Sequence, residues 1–150
     1  MTVEQTSTQR HAIVMVAEFP AVPPGTLFAY WIEPDLLRRW WPPEAEVDQM
    51  VGGRYHFSWP KMDWHLRGTY SAFEPGHRLT FDWNWGHDDL PPRQVDLLLE
   101  PSPLGGTRLT LTHSGYGDLA SEKEDRQGHI DGWTTFLPQL RTATEQHDDQ

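Results

Sequence analysis

Histidine is the residue type in this sequence best suited to acid–base chemistry, and one of the eight histidines is singled out by its position. The alternation of Leu109, Leu111 and His113 places an imidazole on the apolar face of a predicted strand. A buried neutral histidine needs a hydrogen-bond partner, and near neutral pH it can act as an acid or a base. His113 is therefore the one candidate for a catalytic residue, and a hydrogen-bonded core histidine is the alternative.

Other common catalytic and metal-binding residues are missing from their usual settings. The chain has no cysteine, which removes thiol nucleophiles, disulfides and cysteine ligands for zinc. No His-Glu-x-x-His segment occurs, and His56 and His65 are separated by Pro60 on different predicted elements. Ser114 and Thr107 lack the strand–turn–helix setting of a serine nucleophile. We therefore expect no bound metal, no cofactor and no covalent intermediate.

Tryptophan is unusually frequent, with eight residues in a chain of 150 whose aromatic content is 12%. Each large aromatic ring can bury about 150–250 Å², and a soluble monomer rarely exposes many of them together. Most of the rings must therefore lie in the core or line a cavity, and composition alone leaves both possibilities open.

Charge and hydropathy exclude several classes of partner. The 12 basic and 22 acidic side chains give a net charge of -10, which repels phosphate backbones and argues against nucleic-acid binding. No apolar run approaches the roughly 20 residues of a membrane span, and the first ten residues do not resemble a signal peptide. We expect a cytoplasmic single domain over residues 1–150, with a core at about 12–143 and frayed polar ends (1–10 and 145–150).

The hydrophobic periodicity predicts the elements that position these side chains. Residues 12–19 read as a strand; a short helix follows Pro23 and Pro24, and a second runs from Pro34 to about Arg39. Alternating apolar residues then predict antiparallel strands at 54–59, 66–73, 79–85, 93–100 and through 109–113.

The last predicted element is a helix of about 24 residues, long enough at about 1.5 Å per residue to cross a whole sheet. A capping box, Ser121 with Glu124, marks its start, and Pro138 predicts a kink inside it. Asp63, Trp64 and His65 are expected on a loop, with an exposed polar loop or a gate as alternatives.

Short motifs along the chain occur in a recognisable order. The motifs are Phe28-x-x-Trp31, Pro34, Leu37, Trp40-Trp41-Pro42, Gly52-Gly53, Gly68-x-Tyr70, Arg78-Leu79-x-Phe81-x-Trp83, Gly105-Gly106-Thr107-Arg108-Leu109, Thr112-His113-x-Gly115 and Gly132-Trp133-x-x-x-Leu137-x-x-Leu140. Together, from about residue 12 to 143, they resemble the family named for the activator of Hsp90 ATPase, within the START-like (SRPBCC), Bet v 1-like superfamily of helix-grip folds.

The resemblance implies an α+β helix-grip fold: a curved antiparallel sheet wrapped around a long C-terminal helix, with two short helices after the first strand. A cavity is expected between the sheet and that helix, where the apolar faces of the predicted strands and helix would meet. The candidate ligand-binding residues are Tyr55, Phe57, Trp59, Tyr70, Phe81, Trp83, Trp85, Leu97, Leu111, His113, Trp133, Phe136 and Leu137.

These features lead to three functional hypotheses. The first is binding of a small hydrophobic molecule, aromatic or lipid-like, in the cavity. The second is a cyclase-like or hydrolase-like enzyme that uses His113 as acid or base and Tyr55 as a hydrogen-bond donor. The third is an Hsp90-type co-chaperone or stress-response interaction module. The oligomeric state stays open, a homodimer included, and the loops at 60–66 and 86–93, expected to set selectivity, contain no interpretable motif.

Overall fold

The chain folds as a single antiparallel β-sheet with a long helix at its carboxyl end. This computed structural model describes residues 3–5, 11–86, 90 and 92–147. The strands are β1 (Val3–Gln5), β2 (Ala12–Phe19), β3 (Glu44–Val47), β4 (Arg54–Trp59), β5 (Trp64–Glu74), β6 (Arg78–Trp85), β7 (Arg93–Pro101) and β8 (Thr107–Ser114), and the helices are α1 (Pro24–Ile32), α2 (Pro34–Leu37) and α3 (Ala120–Glu145).

The strand order is β1-β2-β8-β7-β6-β5-β4-β3, so the strand before the short helices pairs with the last strand of the chain. In this register His113 lies between Ile13 on β2 and Val95 on β7. A register shift between Tyr70 and Ala72 marks a bulge where β5 meets β6, and such bulges bend a sheet and increase its twist. The predicted α+β helix-grip fold, with a curved sheet around the last helix, is confirmed.

The long helix begins at Ala120, one residue before Ser121, where the predicted capping box starts. Leu119 occupies the N-cap position and makes no side-chain cap, so Ser121 and Glu124 lie inside the helix, and the capping-box prediction is wrong. The helix then continues to Glu145 and passes through Pro138 without an interruption. Trp133 packs against Trp83 of β6, with ring centroids 5.6 Å apart, so the helix lies against the apolar face of the sheet.

Two further differences from the sequence analysis lie near the ends of strands. Val3–Gln5 forms an edge strand paired with β2, although no element was expected in residues 1–10. An edge strand of three residues needs only backbone hydrogen bonds and therefore leaves little trace in side-chain periodicity. Trp64 and His65 belong to β5 and not to a loop, because the hairpin turn ends at Asp63, whose φ is 54°. Residues 1–2, 6–10, 87–89, 91 and 148–150, which fall in the predicted frayed ends and second loop, lie outside the described residues.

The segment after α2 is held by a buried hydrogen bond. The indole N–H of Trp40 donates to the carbonyl of Tyr30 over 2.9 Å. This hydrogen bond fixes the turn that directly precedes Trp41. The two short helices thereby place Trp31, Trp40 and Trp41 in the core beside α3. Within the described part of the chain, no helix has the length and apolar character that crossing a membrane requires.

Candidate binding site: an indole-lined cavity

A cavity of about 260 Å³ lies between α3 and the strands β4 to β6. Six of the chain's eight tryptophans contribute to its wall, so the indole-lined cavity accounts for most of the unusual tryptophan content. The lining residues are Trp41, Trp59, Met62, Trp64, Trp83, Trp85, Gly128, His129, Gly132, Trp133 and Phe136.

Strand register explains why four of these rings meet. Trp59 and Trp64 are partners across the β4–β5 hairpin, next to the turn that carries Met62. Trp83 and Trp85 are two residues apart on β6, so their side chains project from the same face of the sheet. The Trp59 and Trp85 rings are 5.4 Å apart, which joins the hairpin to β6 along the cavity wall.

Trp41 connects the strand wall with the helix wall. Its ring lies nearly parallel to that of Trp83, at 18° and 5.7 Å, and 5.3 Å from that of Trp133. In the sequence, Trp41 stands out only as part of a motif that follows a predicted helix. A residue that lies outside regular structure shows no periodicity from which its orientation could be inferred.

Two glycines, Gly128 and Gly132, leave space on the helix side of the cavity. They are four residues apart on α3 and therefore lie on one face. A Cβ added at either position would meet no atom within 4 Å, and neither residue has a positive φ. Glycine inside a helix costs about 0.5–1 kcal/mol relative to alanine. Neither local packing nor backbone conformation requires these glycines, and their effect is to widen the cavity.

Among the described residues of the cavity wall, His129 is the titratable side chain. Its Nδ1 lies 2.7 Å from the Tyr116 hydroxyl, and its Nε2 accepts a hydrogen bond of 3.3 Å from the indole N–H of Trp85. The same Nε2 is 3.6 Å from Oδ1 of Asp125, one helical turn earlier. His129 is not among the residues predicted from the sequence, although the spacing of Asp125, His129 and Trp133 at i, i+4 and i+8 places it on the same face of α3 as the cavity-lining tryptophan.

His113 lies behind this wall and is fully buried. Its Nδ1 accepts a hydrogen bond of 3.0 Å from the indole N–H of Trp133, which leaves the ring proton of the neutral form on Nε2. Its ring stacks on that of His129 at 4.6 Å and 15°. Burial, followed by the proximity of His129 and Arg93, holds the pKa of His113 well below its ordinary value. His113 is therefore neutral near pH 7. It is not one of the residues that line the cavity.

A buried ion cluster anchors the first turns of α3 to the sheet. Arg93 of β7 donates to Oε1 of Glu122 over 2.9 Å and to Oδ2 of Asp125 over 3.1 Å. It also donates to the carbonyl of Gly115 over 2.6 Å, and its guanidinium lies 4.7 Å from the centre of the Tyr116 ring. The hydrogen bond from Arg93 is the main cause that lowers the pKa of Glu122. The cluster positions Tyr116 and Asp125, which are two of the residues that contact His129.

The thirteen predicted ligand-binding residues separate into three groups. Trp59, Trp83, Trp85, Trp133 and Phe136 line the cavity. Leu97, Leu111, His113 and Leu137 are buried in the core and are not part of the lining. Tyr55, Phe57, Tyr70 and Phe81 pack with Trp31 and Trp41 around a space too small for a water molecule.

The tyrosines of the third group pack in the core, and of the two, only Tyr55 has a hydrogen-bond partner for its hydroxyl among the described residues. The Tyr55 hydroxyl donates to the carbonyl of Asp82, and burial raises the pKa of both Tyr55 and Tyr70. Neither hydroxyl reaches the cavity wall. Among the residues that the structure describes, the cavity therefore offers contact with aromatic faces and edges, with the Met62 side chain and with the imidazole of His129.

The chain is similar in sequence to one protein family and in fold to several solved structures. The family model described as Activator of Hsp90 ATPase homolog 1-like protein matches residues 21–145. No curated protein matches the chain. The solved structure of MLL2253 from Mesorhizobium loti has a TM-score of 0.80 at 25% identity, with 91% of this chain and 98% of that chain covered.

Two further solved structures share the fold at lower identity. NE0264 from Nitrosomonas europaea has a TM-score of 0.75 at 20% identity, covering 95% of this chain and all (100%) of the other. CalU16 from Micromonospora echinospora has a TM-score of 0.68 at 23% identity, covering 86% of this chain and 71% of the other. At these identities the likeness extends to the fold alone.

Proposed function

We propose that this chain, which belongs to the Activator of Hsp90 ATPase homolog 1-like family, binds a small hydrophobic molecule in the indole-lined cavity. The observation that carries the proposal is the combination of six tryptophan rings with two helix glycines that leave space between them. Ligand pockets are typically apolar concavities with a few placed polar groups, and this cavity has that character.

The dimensions and lining of the cavity favour a compact aromatic ligand over a long acyl chain. Its volume of about 260 Å³ is close to the lower end of the range of small-molecule pockets. Aromatic pairs gain about 0.5–1.5 kcal/mol beyond the burial of their area, so a ring that contacts several indoles is preferred to an aliphatic chain. Both ring nitrogens of His129 have hydrogen-bond partners, so a polar substituent of the ligand would reach this imidazole by replacing the indole N–H of Trp85 at Nε2.

The test is a titration of intrinsic tryptophan fluorescence, with thermal unfolding measured on the same samples. The probes are a naphthalene-type dye, a flavonoid and a fatty acid. We expect the aromatic probes to change the emission, and a probe at about 100 times its Kd to add about 2.7 kcal/mol of stability. If no probe changes either the emission or the unfolding midpoint, the proposal is wrong.

A matched pair of substitutions on α3 assigns the binding to the cavity. Gly132→Leu fills the space left by the glycine and should abolish the fluorescence response. Thr135→Leu adds the same side chain at an exposed position of the same helix and should leave the response unchanged. An equal loss in both variants would place the bound probe elsewhere.

A second candidate function is acid–base catalysis in the same cavity, as in a cyclase-like or hydrolase-like enzyme. His129 favours it, since it lies in the wall with a tyrosine hydroxyl at 2.7 Å and a carboxylate at 3.6 Å. His113 and Tyr55, the pair expected from the sequence, are both buried away from the wall. His129→Gln distinguishes the two functions: a catalyst should lose about 100-fold in turnover, whereas a binding protein should keep its affinity within a few-fold.

A further inference from the structure

Four indole rings of the cavity wall meet around Trp85. The ring centroids of Trp59, Trp64 and Trp83 lie 5.4, 5.9 and 5.6 Å from that of Trp85. Their planes are inclined to the plane of Trp85 by 50°, 67° and 88°, so the four rings present faces in different directions. All four residues line the cavity, and a ligand that fills it lies against more than one of these rings.

The face of an indole ring attracts positive charge. The π-electrons make the face of an aromatic ring electronegative and its edge electropositive, and tryptophan gives the strongest cation–π contacts of the aromatic side chains. The N–H of Trp85, which is the most electropositive point of this ring, donates to Nε2 of His129 over 3.3 Å. The imidazole therefore engages the edge that an anionic ligand would seek.

The charged groups behind the helix side of the cavity also favour a cation. In the ion cluster the single guanidinium of Arg93 is hydrogen-bonded to two carboxylates, those of Glu122 and Asp125, so these three side chains have a formal charge of about -1. Oδ1 of Asp125 is 3.6 Å from Nε2 of His129, which lines the cavity. Among the described lining residues there is no lysine or arginine, and the whole chain has a net charge of -10.

Lys61 and Arg126 are close in sequence to lining residues and would oppose a bound cation. Lys61 is exposed on the β4–β5 turn, where solvent and salt screen its charge. Arg126 donates through Nε and Nη2 to the carbonyl of Ala12 on β2, and it is not part of the lining. Neither cation therefore cancels the contribution of the ion cluster.

The hydrogen-bonding capacity of the wall determines which kind of ammonium group fits. A primary ammonium group carries three N–H donors, and each donor that is buried without an acceptor costs free energy. Among the described lining residues, His129 has the one side-chain nitrogen that can accept, and Trp85 already donates to it. A quaternary ammonium group has no N–H, and its alkyl groups can rest directly on ring faces.

We propose that the ligand of the indole-lined cavity is a compact organic cation whose charge is carried by a quaternary ammonium group. The inference rests on the proposed function and specifies the chemical class of the ligand. A neutral group of the same shape gains only from the burial of apolar surface, whereas the cation gains in addition from several indole faces. Recognition of quaternary ammonium groups by sets of aromatic rings is a general use of this interaction.

The test compares phenyltrimethylammonium with tert-butylbenzene, which have the same shape and differ in charge. Each probe is titrated into the full chain, and tryptophan emission and the midpoint of thermal unfolding are measured. We expect the Kd of phenyltrimethylammonium to be lower by about 3- to 30-fold. Benzoate, an anion of similar size, should bind more weakly than either probe.

Two substitutions of Trp64 assign the preference to the indole rings. Trp64 is 40% exposed at the cavity, so its replacement should leave the fold intact. Trp64→Leu removes one ring face and should lower the ratio of the two Kd values, whereas Trp64→Phe keeps a ring face and should retain more of the preference. A general loosening of the cavity would affect both probes alike and leave their ratio unchanged.

The outcomes separate this inference from the proposed function. Equal or tighter binding of tert-butylbenzene would overturn the inference and leave the proposed function standing. Absence of any response to phenyltrimethylammonium would overturn it as well, and the dye, flavonoid and fatty-acid titrations would then decide the proposed function on their own. A ratio that Trp64→Leu leaves unchanged would overturn the assignment to the indole faces.

Discussion

The indole N–H of Trp133 on α3 donates to Nδ1 of His113 on β8 over 3.0 Å. The two residues have different positions relative to the cavity: Trp133 lines it, whereas His113 is fully buried behind it. The hydrogen bond therefore fixes one edge of a cavity-lining ring and joins the helix to the centre of the sheet. Because an indole N–H can only donate, the bond requires His113 to keep a lone pair on Nδ1.

This arrangement predicts a loss of stability in mild acid. The pKa of His113 is lowered in the folded protein, mainly by burial, so below pH of about 6.5 the unfolded chain binds a proton that the folded chain does not. The contribution of His113 is complete above that pH and is lost as the pH falls, by about 1.4 kcal/mol per unit until the folded-state pKa is reached. Urea unfolding between pH 5 and 7 measures the slope.

His113→Gln is the control for this titration, because glutamine has an acceptor for the Trp133 N–H but cannot be protonated. The variant should be less stable at pH 7 and should show a smaller slope between pH 5 and 6.5. Equal slopes in the two proteins would mean that His113 is not the group responsible.

The ion cluster around Arg93 should contribute strongly to stability. The Arg93 side chain is 2% exposed, and Arg93→Met leaves the carboxylates of Glu122 and Asp125 without their buried partner. Removing one member of a buried pair costs about 3–5 kcal/mol. Arg108→Met, which breaks the more exposed pair with Glu18, should cost about 0–1 kcal/mol. Similar losses of unfolding free energy in the two variants would contradict this assignment.

Most of the fold could be predicted from side-chain alternation. The predicted strand at residues 12–19 coincides with β2, and the strands from β4 to β8 were expected at or close to their observed positions. The errors lie where alternation carries little information. The capping box at Ser121 and Glu124 has the correct spacing but lies one residue inside the helix, since the chain enters α3 at Leu119 without a side-chain cap.

The residues that line the cavity could be predicted less well from side-chain alternation than the strands could. Alternation indicates which face of a strand is apolar, but not whether that face meets a solid core or an open cavity. Trp59 and Tyr55 lie on the same face of β4, yet Trp59 lines the cavity whereas Tyr55 packs in the core. The difference depends on where α3 diverges from the sheet and on the position of Trp41, both of which are set by tertiary packing.

Met62 should contribute to ligand affinity without contributing to stability. It lines the mouth of the cavity on the β4–β5 turn and is 49% exposed. Met62→Ser should weaken binding of an aromatic probe several-fold and change the unfolding free energy by no more than about 0.5 kcal/mol. Leu104→Ser replaces a more exposed apolar residue that is absent from the lining, and it should alter neither quantity. Equal probe affinities in wild type and Met62→Ser would exclude a contact at the mouth.

Gly128→Ala should increase stability and decrease affinity. The added Cβ meets no atom within 4 Å, so the helix should gain about 0.5–1 kcal/mol, while the methyl group enters the cavity. Gly25→Ala is matched to it, because Gly25 also lies in a helix and has no atom within 4 Å of an added Cβ, but is absent from the cavity wall. Gly25→Ala should change stability in the same direction and leave probe affinity unchanged. An alanine methyl group in the space that the ligand occupies should weaken probe binding. Tighter probe binding by Gly128→Ala would therefore show that the ligand does not lie beside this glycine.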